Sequence, residues 1–283
     1  MRRPLRLALA AVLLGALAAA GCTSKPRGEA ELPRLAFGAE PNADLTRPDI
    51  LLDFPSGRGG LAGRTIRVGG LDDLVLARKE VVLTFDDGPV RGKTPAILDA
   101  LDRHGVRATF LMVGQMARSY PDLVREVARR GHTIGTHTQS HPDLSGMAFD
   151  AAVAEIERGR ASVDAALVPS GRKAAPFFRF PYLADTARLR RHLAMRGVVV
   201  VHPSVDSKDY FVSTPDQVRA RTLAALERAG SGIVLFHDLH ARTVAMLPDF
   251  LDDLAARGYR VVHLVPRSPA GGALVSAALS ADE

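Results

Sequence analysis

The chain has 283 residues, of which 47% are hydrophobic and 24% charged, with one cysteine, no tryptophan and a formal net charge of +6. This length and composition predict one or two globular domains with a sizeable core, and they exclude an intrinsically disordered chain. Because Cys22 is the only cysteine, an intramolecular disulfide framework and a structural zinc site built from cysteines are also excluded.

The first residues have the layout of a secretory signal. A start containing three arginines is followed by an apolar run over 7–20, and Ala-Ala-Gly stands directly before Cys22. Small residues before a cysteine resemble the bacterial lipoprotein signal, in which that cysteine is lipidated and becomes the new N-terminus. Ordinary cleavage after Ala20 is the alternative. We therefore expect a signal peptide at 1–21 and a lipoprotein of the cell envelope, anchored to a membrane through Cys22, or a secreted or periplasmic protein if Cys22 is not lipidated.

The net charge gives little support to a nucleic-acid partner. Removal of residues 1–21 would take away three arginines and no acidic residue, which lowers the formal charge from +6 to +3. The remaining sequence contains no basic stripe interleaved with aromatic residues. We therefore expect no nucleic-acid binding, and the sequence leaves the oligomeric state open.

Composition divides the rest of the chain into three parts. Residues 22–79 contain many prolines and a glycine-rich run, which predicts a tether or N-terminal extension with a short strand near 65–68. From residue 80 the pattern is that of a folded domain, which we expect over 80–266. Residues 267–283 are predicted to form a flexible tail.

Within 80–266, short apolar runs alternate with amphipathic stretches. The strands are predicted at 81–85, 107–113, 133–136, 177–180, 198–201, 232–236 and 259–264. The helices are predicted at 94–103, 119–130, 149–167, 185–196, 215–229 and 243–257, and Pro248 requires the last helix to kink or to start late. Seven strands alternating with six helices predict an α/β fold with a parallel sheet, but this pattern alone does not separate a barrel from an open sheet.

Reactive side chains lie at or just beyond the carboxyl ends of five of the seven predicted strands. They are Asp86 and Asp87, His137, Arg179, Asp206 and His237. Open α/β sheets and barrels both place their functional sites at the carboxyl ends of the strands, so these side chains are expected to lie near one another.

A metal site is indicated by His137 and His141, which are four residues apart and directly follow a predicted strand. Two imidazoles and one carboxylate form a hydrolytic zinc set that leaves a position open for water. The adjacent carboxylates Asp86 and Asp87 at the end of a buried strand are costly unless they are paired or metal-bound. This pattern predicts that one carboxylate binds the metal and the other acts as a base.

Five segments together resemble the NodB-type polysaccharide deacetylases of carbohydrate esterase family 4. In chain order they are Thr-Phe-Asp-Asp-Gly-Pro at 84–89, His-Thr-Gln-Ser-His at 137–141, Arg-Phe-Pro-Tyr at 179–182, Asp-Ser-Lys-Asp-Tyr at 206–210 and Val-Leu-Phe-His-Asp at 234–238. The resemblance covers about residues 80–265 and includes all five family motifs in order. It implies a single catalytic domain with the fold of a distorted (β/α) barrel of seven parallel strands.

The resemblance also implies which residues act as the base, as the metal ligands and as the partner of the base. Asp86 matches the catalytic base, and Asp87, His137 and His141 match the ligands of one divalent metal ion, for which zinc is expected. Arg179 matches the arginine that orients the base.

The remaining matches concern the substrate and the leaving group. The backbone N–H of Tyr182 matches an oxyanion donor, His237 matches the general acid, and Asp209 matches the aspartate that tunes this acid. Leu235 matches a residue lining the acetyl pocket. Tyr210 stands where the family's fourth motif usually has tryptophan, so it keeps an aromatic wall but changes its size and adds a hydroxyl.

These matches predict a metal-dependent N-deacetylase acting on a glycan that contains N-acetylglucosamine. The envelope signal makes peptidoglycan or an exopolysaccharide the expected substrate, and chitooligosaccharide remains open. An O-acetyl esterase acting on xylan or peptidoglycan is an alternative, because ester and amide hydrolysis share the same oxyanion. A non-catalytic glycan-binding lipoprotein is the alternative from another class, although no base, acid or ligand of the motifs is missing.

Overall fold

Nine β-strands and seven α-helices lie along residues 60–267, which are the residues that the computed structural model describes. The strands are β1 (Ala62–Val68), β2 (Glu80–Asp86), β3 (Thr109–Met112), β4 (Thr133–Thr136), β5 (Phe177–Phe178), β6 (Val199–Val200), β7 (Val205–Asp206), β8 (Gly232–His237) and β9 (Arg260–Pro266). The helices are α1 (Thr94–Arg103), α2 (Gly114–Ser119), α3 (Pro121–Arg129), α4 (Phe149–Leu167), α5 (Ala187–Met195), α6 (Pro215–Ala229) and α7 (Ala241–Ala256). The predicted signal peptide, Cys22 and residues 268–283 of the predicted tail lie outside the described residues.

Every ladder between these strands is parallel. The ladders run in the order β1-β9-β2-β3-β4-β5-β6, while β8 pairs with β2 and with β7. Parallel neighbours need crossover connections, which the helices supply. The predicted α/β fold with a parallel sheet is therefore confirmed.

A small apolar core fills the inside of the curled sheet. It unites buried side chains from β1, β2, β3, β5, β6, β8 and β9, among them Val82 and Phe177. Thr133 of β4 donates a hydrogen bond from its hydroxyl to the carbonyl oxygen of Leu264 on β9, 2.5 Å away. Contacts between strands that are distant in ladder order require the sheet to curve towards a barrel. Within the described residues no ladder joins β6 to β7, so the barrel is interrupted there.

A larger core lies between the outer face of the sheet and the helices. Phe85 of β2 stacks on Phe110 of β3 and on Phe236 of β8, with ring centroids 5.1 and 5.7 Å apart. Phe250 of α7 meets Phe236 edge-on at 5.4 Å. Since side chains alternate along a strand, β2 serves both cores, with Val82 inside and Phe85 outside.

The sheet begins earlier than the sequence predicts. β1 pairs with β9 and buries Ile66 and Val68, so it is part of the folded domain. The predicted domain start at residue 80 and the predicted tether over 22–79 are therefore wrong with respect to residues 62–68. The expected short strand near 65–68 is present and is longer than predicted.

Two helix predictions also need correction. The helix predicted over 119–130 corresponds to α3, and it is preceded by α2, which the sequence does not predict. Tyr120, immediately before Pro121, has non-helical backbone angles and separates the two helices. Pro248 lies inside α7, which begins at Ala241, so the late start is wrong and the kink at Pro248 stays a prediction. Between residues 60 and 267 no helix combines the length and the apolar character needed to cross a membrane.

The register of the ladders determines which side chains meet at the carboxyl edge of the sheet. Asp86 at the end of β2 is the partner of His237 at the end of β8. His137 and Arg179 directly follow β4 and β5, which are neighbours in the same sheet. Strand pairing thus places the predicted reactive residues at the carboxyl edge of the sheet.

Candidate active site

The three predicted metal ligands lie together beyond the ends of β2 and β4. The Oδ1 atom of Asp87 is 3.5 Å from Nε2 of His137 and 3.2 Å from Nε2 of His141. The three ligand atoms all lie within 4.8 Å of one another. This is the convergence that a shared cation requires.

The chemistry of these three side chains fits a divalent metal. The Nδ1 atom of His137 is 2.7 Å from the carbonyl oxygen of Arg179, so Nδ1–H donates there and the Nε2 lone pair faces the cluster. Burial lowers the pKa of His141, which favours the neutral imidazole that binds metals. Oδ1 of Asp87 is buried and has no hydrogen-bond partner among the described residues. A carboxylate oxygen in that position is best satisfied by a cation.

Helix α4 supports the turn between the two histidines. The hydroxyl of Thr138 accepts a hydrogen bond from the backbone N–H of His141 at 3.0 Å. The buried carboxylate of Glu155 accepts two further bonds, from the N–H and the hydroxyl of Ser140, each at 3.0 Å. A Cβ at Gly159 would lie 2.3 Å from the carbonyl carbon of Thr138, so glycine alone permits this approach. The spacing of the histidines therefore depends on residues of a helix outside the motif.

Asp86 has a different environment from its neighbour Asp87. Its Oδ1 atom accepts a hydrogen bond from Arg179 at 2.8 Å, and both side chains are almost fully buried. Its Oδ2 atom lies 3.8 Å from Nε2 of His137, on the side of the metal cluster. One oxygen is thus held by the arginine, and the other faces the place where a substrate would bind.

His237 lies on the next strand and is held by a buried carboxylate. Asp209 is fully buried and accepts hydrogen bonds from Nδ1 of His237 at 2.6 Å, from its backbone N–H at 2.8 Å and from the Thr243 hydroxyl at 2.6 Å. Burial disfavours the imidazolium, but the hydrogen bond and charge of Asp209 and the charges of Asp87 and Asp86 outweigh it and raise the pKa of His237 to about 9. His237 is therefore protonated at neutral pH, with Nε2–H available at the site.

Aromatic side chains stand on two sides of this cluster. Tyr182 is 68% exposed as a residue, and its ring contacts the ring of His141 edge-on, with centroids 4.7 Å apart. Tyr210 meets His237 in the same way at 5.6 Å, and its hydroxyl donates to Oδ2 of Asp206 at 2.8 Å. The hydroxyl that tyrosine adds in place of tryptophan is thus already bonded within its own motif.

Leu235 lies below this site on the inner face of the barrel. It is 4% exposed, and on β8 it precedes His237 by two residues, so both side chains point to the same face. It pairs with Thr84 on one side and with Asp206 on the other. The structure therefore brings all ten predicted site residues of the domain to one edge of the sheet.

Comparison with known proteins agrees with this geometry. The family model for polysaccharide deacetylases matches residues 75–201. A chitooligosaccharide deacetylase of Bradyrhizobium sp. (strain ANU 289) is 36% identical over 208 residues, which are 68% of this chain and 92% of the relative. The chain belongs to the polysaccharide deacetylase family.

Two further relatives show the range of this deacetylase family. A chitin deacetylase of Colletotrichum lindemuthianum is 34% identical over 194 residues, which are 64% of this chain and 76% of the relative. A peptidoglycan deacetylase structure from Bdellovibrio bacteriovorus is 37% identical with a TM-score of 0.64, and the match covers 74% of this chain and 58% of that protein. The predicted family and the predicted enzyme class, a deacetylase, are confirmed.

Sequence reasoning missed a group of supporting residues in this deacetylase. Asp238 is fully buried, and burial raises its pKa to about 7. Thr94 donates from its hydroxyl to Oδ2 of Asp238 at 2.6 Å and accepts from the N–H of Val90 at 2.7 Å. A Cβ at Gly88 would lie 2.0 Å from Oδ2 of Asp238. These contacts hold the segment after Asp87 against the end of β8. In the sequence, the only signal for this role is the position of Asp238 next to His237.

Gly159→Ala should weaken metal binding about tenfold or more, which is the scale for residues that orient ligands. Alanine is the better helix former by about 1 kcal/mol, yet its methyl group would displace the turn that sets the spacing of His137 and His141. The zinc dissociation constant of the metal-free protein, measured by calorimetry, checks this. Gly146→Ala is the matched control, since a Cβ there meets nothing within 4 Å. Equal affinities of the two variants would contradict the prediction.

Proposed function

We propose that the chain is a metal-dependent N-deacetylase that removes acetyl groups from a glycan containing N-acetylglucosamine, with zinc as its metal. One observation carries this proposal: Asp86 and His237, an oriented carboxylate and a protonated imidazole, are register partners beside the metal cluster. Hydrolysis of an acetamide needs a base for the water and an acid for the amine.

Asp86 and the residues around it promote the attack of water on the acetamide. A divalent metal held by Asp87, His137 and His141 would supply a Lewis acid and lower the pKa of water at the site. Asp86 accepts the proton of the attacking water through Oδ2, while Arg179 holds Oδ1 and keeps the carboxylate in orientation. The backbone N–H of Tyr182 is the proposed donor to the oxyanion that forms on the acetyl oxygen.

His237 acts as the general acid for the departing amine. An amine is a poor leaving group until its nitrogen is protonated, and His237 is protonated at neutral pH. Its Nε2–H donates the proton to the nitrogen as the C–N bond breaks, and Asp209 stabilises the imidazolium beforehand. The products are acetate and a free amino sugar.

The substrate class is supported by the walls of the site and by the relatives. The exposed rings of Tyr182 and Tyr210 offer flat apolar faces with polar edges, which suit a sugar ring. The named relatives act on chitin, chitooligosaccharide or peptidoglycan. We propose peptidoglycan, an exopolysaccharide or a chitooligosaccharide, and O-acetyl esters of xylan or peptidoglycan are the second candidate.

Asp86→Asn and His237→Ala should each keep the metal and lower kcat/KM on the glycan on the order of 100-fold or more, the usual scale for acid–base residues. Acetate release from chitooligosaccharide, peptidoglycan and acetylxylan, with and without a chelator, is the measurement. Asp150→Asn, an exposed site on α4, is the control for the loss of a carboxylate.

Each other outcome has a distinct meaning. Near wild-type rates in either variant would overturn the assigned base or acid. Release from acetylxylan alone would favour the esterase. No release from any substrate with metal present would favour a non-catalytic glycan-binding lipoprotein.

Asp209→Asn should move the alkaline limb of the pH–rate profile to lower pH. His237 works as an acid only while protonated, so activity falls as pH rises through its pKa, which Asp209 raises towards 9. Without the carboxylate charge this pKa falls and the loss begins at lower pH. The pH dependence of kcat/KM at saturating metal checks the shift, and circular dichroism controls for folding. An alkaline limb at the same pH in both proteins would show that Asp209 does not set the pKa of the general acid.

We also propose that Cys22 is lipidated and anchors the protein to a membrane of the cell envelope. Small residues directly before this single cysteine support the proposal. Labelled fatty acid should be incorporated into the wild type and lost in Cys22→Ala. Equal labelling of both would refute the anchor and favour a secreted or periplasmic protein.

A further inference from the structure

The loop between β7 and α6 carries three consecutive exposed apolar residues beside the active site. These residues, which we call the apolar tip, are Tyr210, Phe211 and Val212, and they are 44%, 54% and 99% exposed. Single exposed apolar residues are common on protein surfaces, but three in succession are unfavourable unless they have a function. Tyr210 ends the fourth of the five motifs, whereas Phe211 and Val212 belong to none of them. The family resemblance therefore assigns no role to these two side chains.

The loop that carries the apolar tip is held by two arginines from the neighbouring helices, Arg221 of α6 and Arg242 of α7. Together they donate hydrogen bonds to four carbonyl oxygens of the loop, which belong to Ser207, Lys208, Asp209 and Phe211. Arg221 also donates to the hydroxyl of Ser213 at 2.9 Å. Hydrogen bonds from charged donors are stronger than neutral ones, so the tip has a fixed conformation. A surface that is already ordered loses less entropy when it binds a ligand.

Two successive ring contacts connect the apolar tip with the proposed general acid. The ring of Tyr210 meets the ring of His237 edge-on, with centroids 5.6 Å apart. The same Tyr210 ring lies 4.8 Å from the ring of Phe211, with an angle of 50° between the two planes. The bond from the Tyr210 hydroxyl to Asp206 fixes the ring that stands between them. The tip is therefore continuous with the active site.

The charges of this loop leave the tip itself apolar. Asp206 accepts hydrogen bonds from the Tyr210 hydroxyl and from the N–H of Lys208, and Asp209 is fully buried. Lys208 is exposed, so one cation stands beside the tip. A sugar ring has a face of C–H groups and a rim of hydroxyls. Such a ring suits an aromatic face with a single polar group at its edge.

We propose that Phe211 and Val212 form a sugar subsite, at which the glycan residue next to the one being deacetylated stacks on the Phe211 ring and contacts Val212. A glycan that presents its acetamide to His237 passes Tyr210, whose ring contacts Phe211, so the same chain is the occupant that reaches the tip. This inference rests on the proposed function, and it adds that the substrate is a chain of at least two sugars.

The test is a double variant that removes the apolar side chains of the tip. Phe211→Ser/Val212→Ser should raise KM for N-acetylchitopentaose about tenfold and leave kcat unchanged, because a contact made equally in the ground state and the transition state affects binding alone. Phe211→Tyr keeps the aromatic face and should keep the parental KM. Acetate release over a range of pentasaccharide concentrations is the measurement.

Val168→Ser/Met195→Ser is the matched control. It also replaces a valine and a larger apolar side chain, both exposed, in the segments that lead into β5 and β6. These segments lie at the ends of the strands opposite the active site, so KM should equal that of the parent. Thermal unfolding verifies that each variant is folded. Calorimetric titration of the pentasaccharide, with Asp86→Asn in every protein to prevent turnover, should give the same tenfold difference in Kd.

Several results would overturn the subsite. A parental KM and Kd in Phe211→Ser/Val212→Ser would remove it and leave the deacetylase standing. A lower kcat in this folded variant would make the tip a support of the catalytic residues instead. A parent dimer that only this variant dissociates, with KM unchanged, would assign the tip to a contact with a second copy of the chain.

Failure of the proposed function would give a different result. The parent would then release no acetate from any glycan with metal present. The calorimetric comparison still decides the subsite in that case, because it requires no turnover. Equal Kd values, or no binding of the pentasaccharide by the parent, would overturn the subsite as well.

Discussion

A buried guanidinium is the constraint on which the site depends. Arg179 is 1% exposed, and Nη1 donates to Oδ1 of Asp86 and to the hydroxyl of Thr84, each at 2.8 Å. Nε donates to the carbonyl of Val201 just beyond β6 at 2.8 Å, and the carbonyl of Arg179 accepts the Nδ1 proton of His137. Desolvation of such an ion pair offsets most of its attraction, so its main effect is on geometry. One residue thus sets the relative positions of the carboxylate, a metal-ligand ring and two sides of the barrel.

The backbone around this arginine is strained where function needs it. Asp87, His141 and Tyr182 are non-glycine residues with φ of 78°, 61° and 57°. Such conformations cost on the order of 1 kcal/mol or more each and persist only where neighbouring contacts hold them. Asp87 is held by its N–H bond to the carbonyl of Leu111, and His141 by the hydroxyl of Thr138. The positions that turn side chains or N–H groups towards a substrate are therefore held by tertiary contacts.

Because the site depends on tertiary contacts, some of its features could be predicted from the sequence and others could not. Strand ends and the ligands that follow them could be predicted, because short continuous apolar runs end abruptly at polar residues such as Asp86 and His237. The sequence places β1 within a predicted tether, since prolines and glycines lie near it and its partner β9 is distant in sequence. Glu155 and Gly159 resemble an exposed acid and a weak helix position until the turn packed on α4 is known. Residues that act through a distant contact leave no local pattern.

The pair Asp86-Asp87 shows how the fold gives two identical side chains different roles. The residue types alone leave open which carboxylate is the ligand and which is the base, and in the sequence only the family resemblance distinguishes them. In an extended strand, successive side chains point to opposite faces, but the left-handed conformation of Asp87 departs from that alternation and its Oδ1 lies beside His137 and His141. Asp86 stays in the strand and is paired with Arg179, whereas Oδ1 of Asp87 lacks a hydrogen-bond donor among the described residues. The charge of Asp86 is therefore balanced by a fixed cation of the protein, and that of Asp87 is left for a metal.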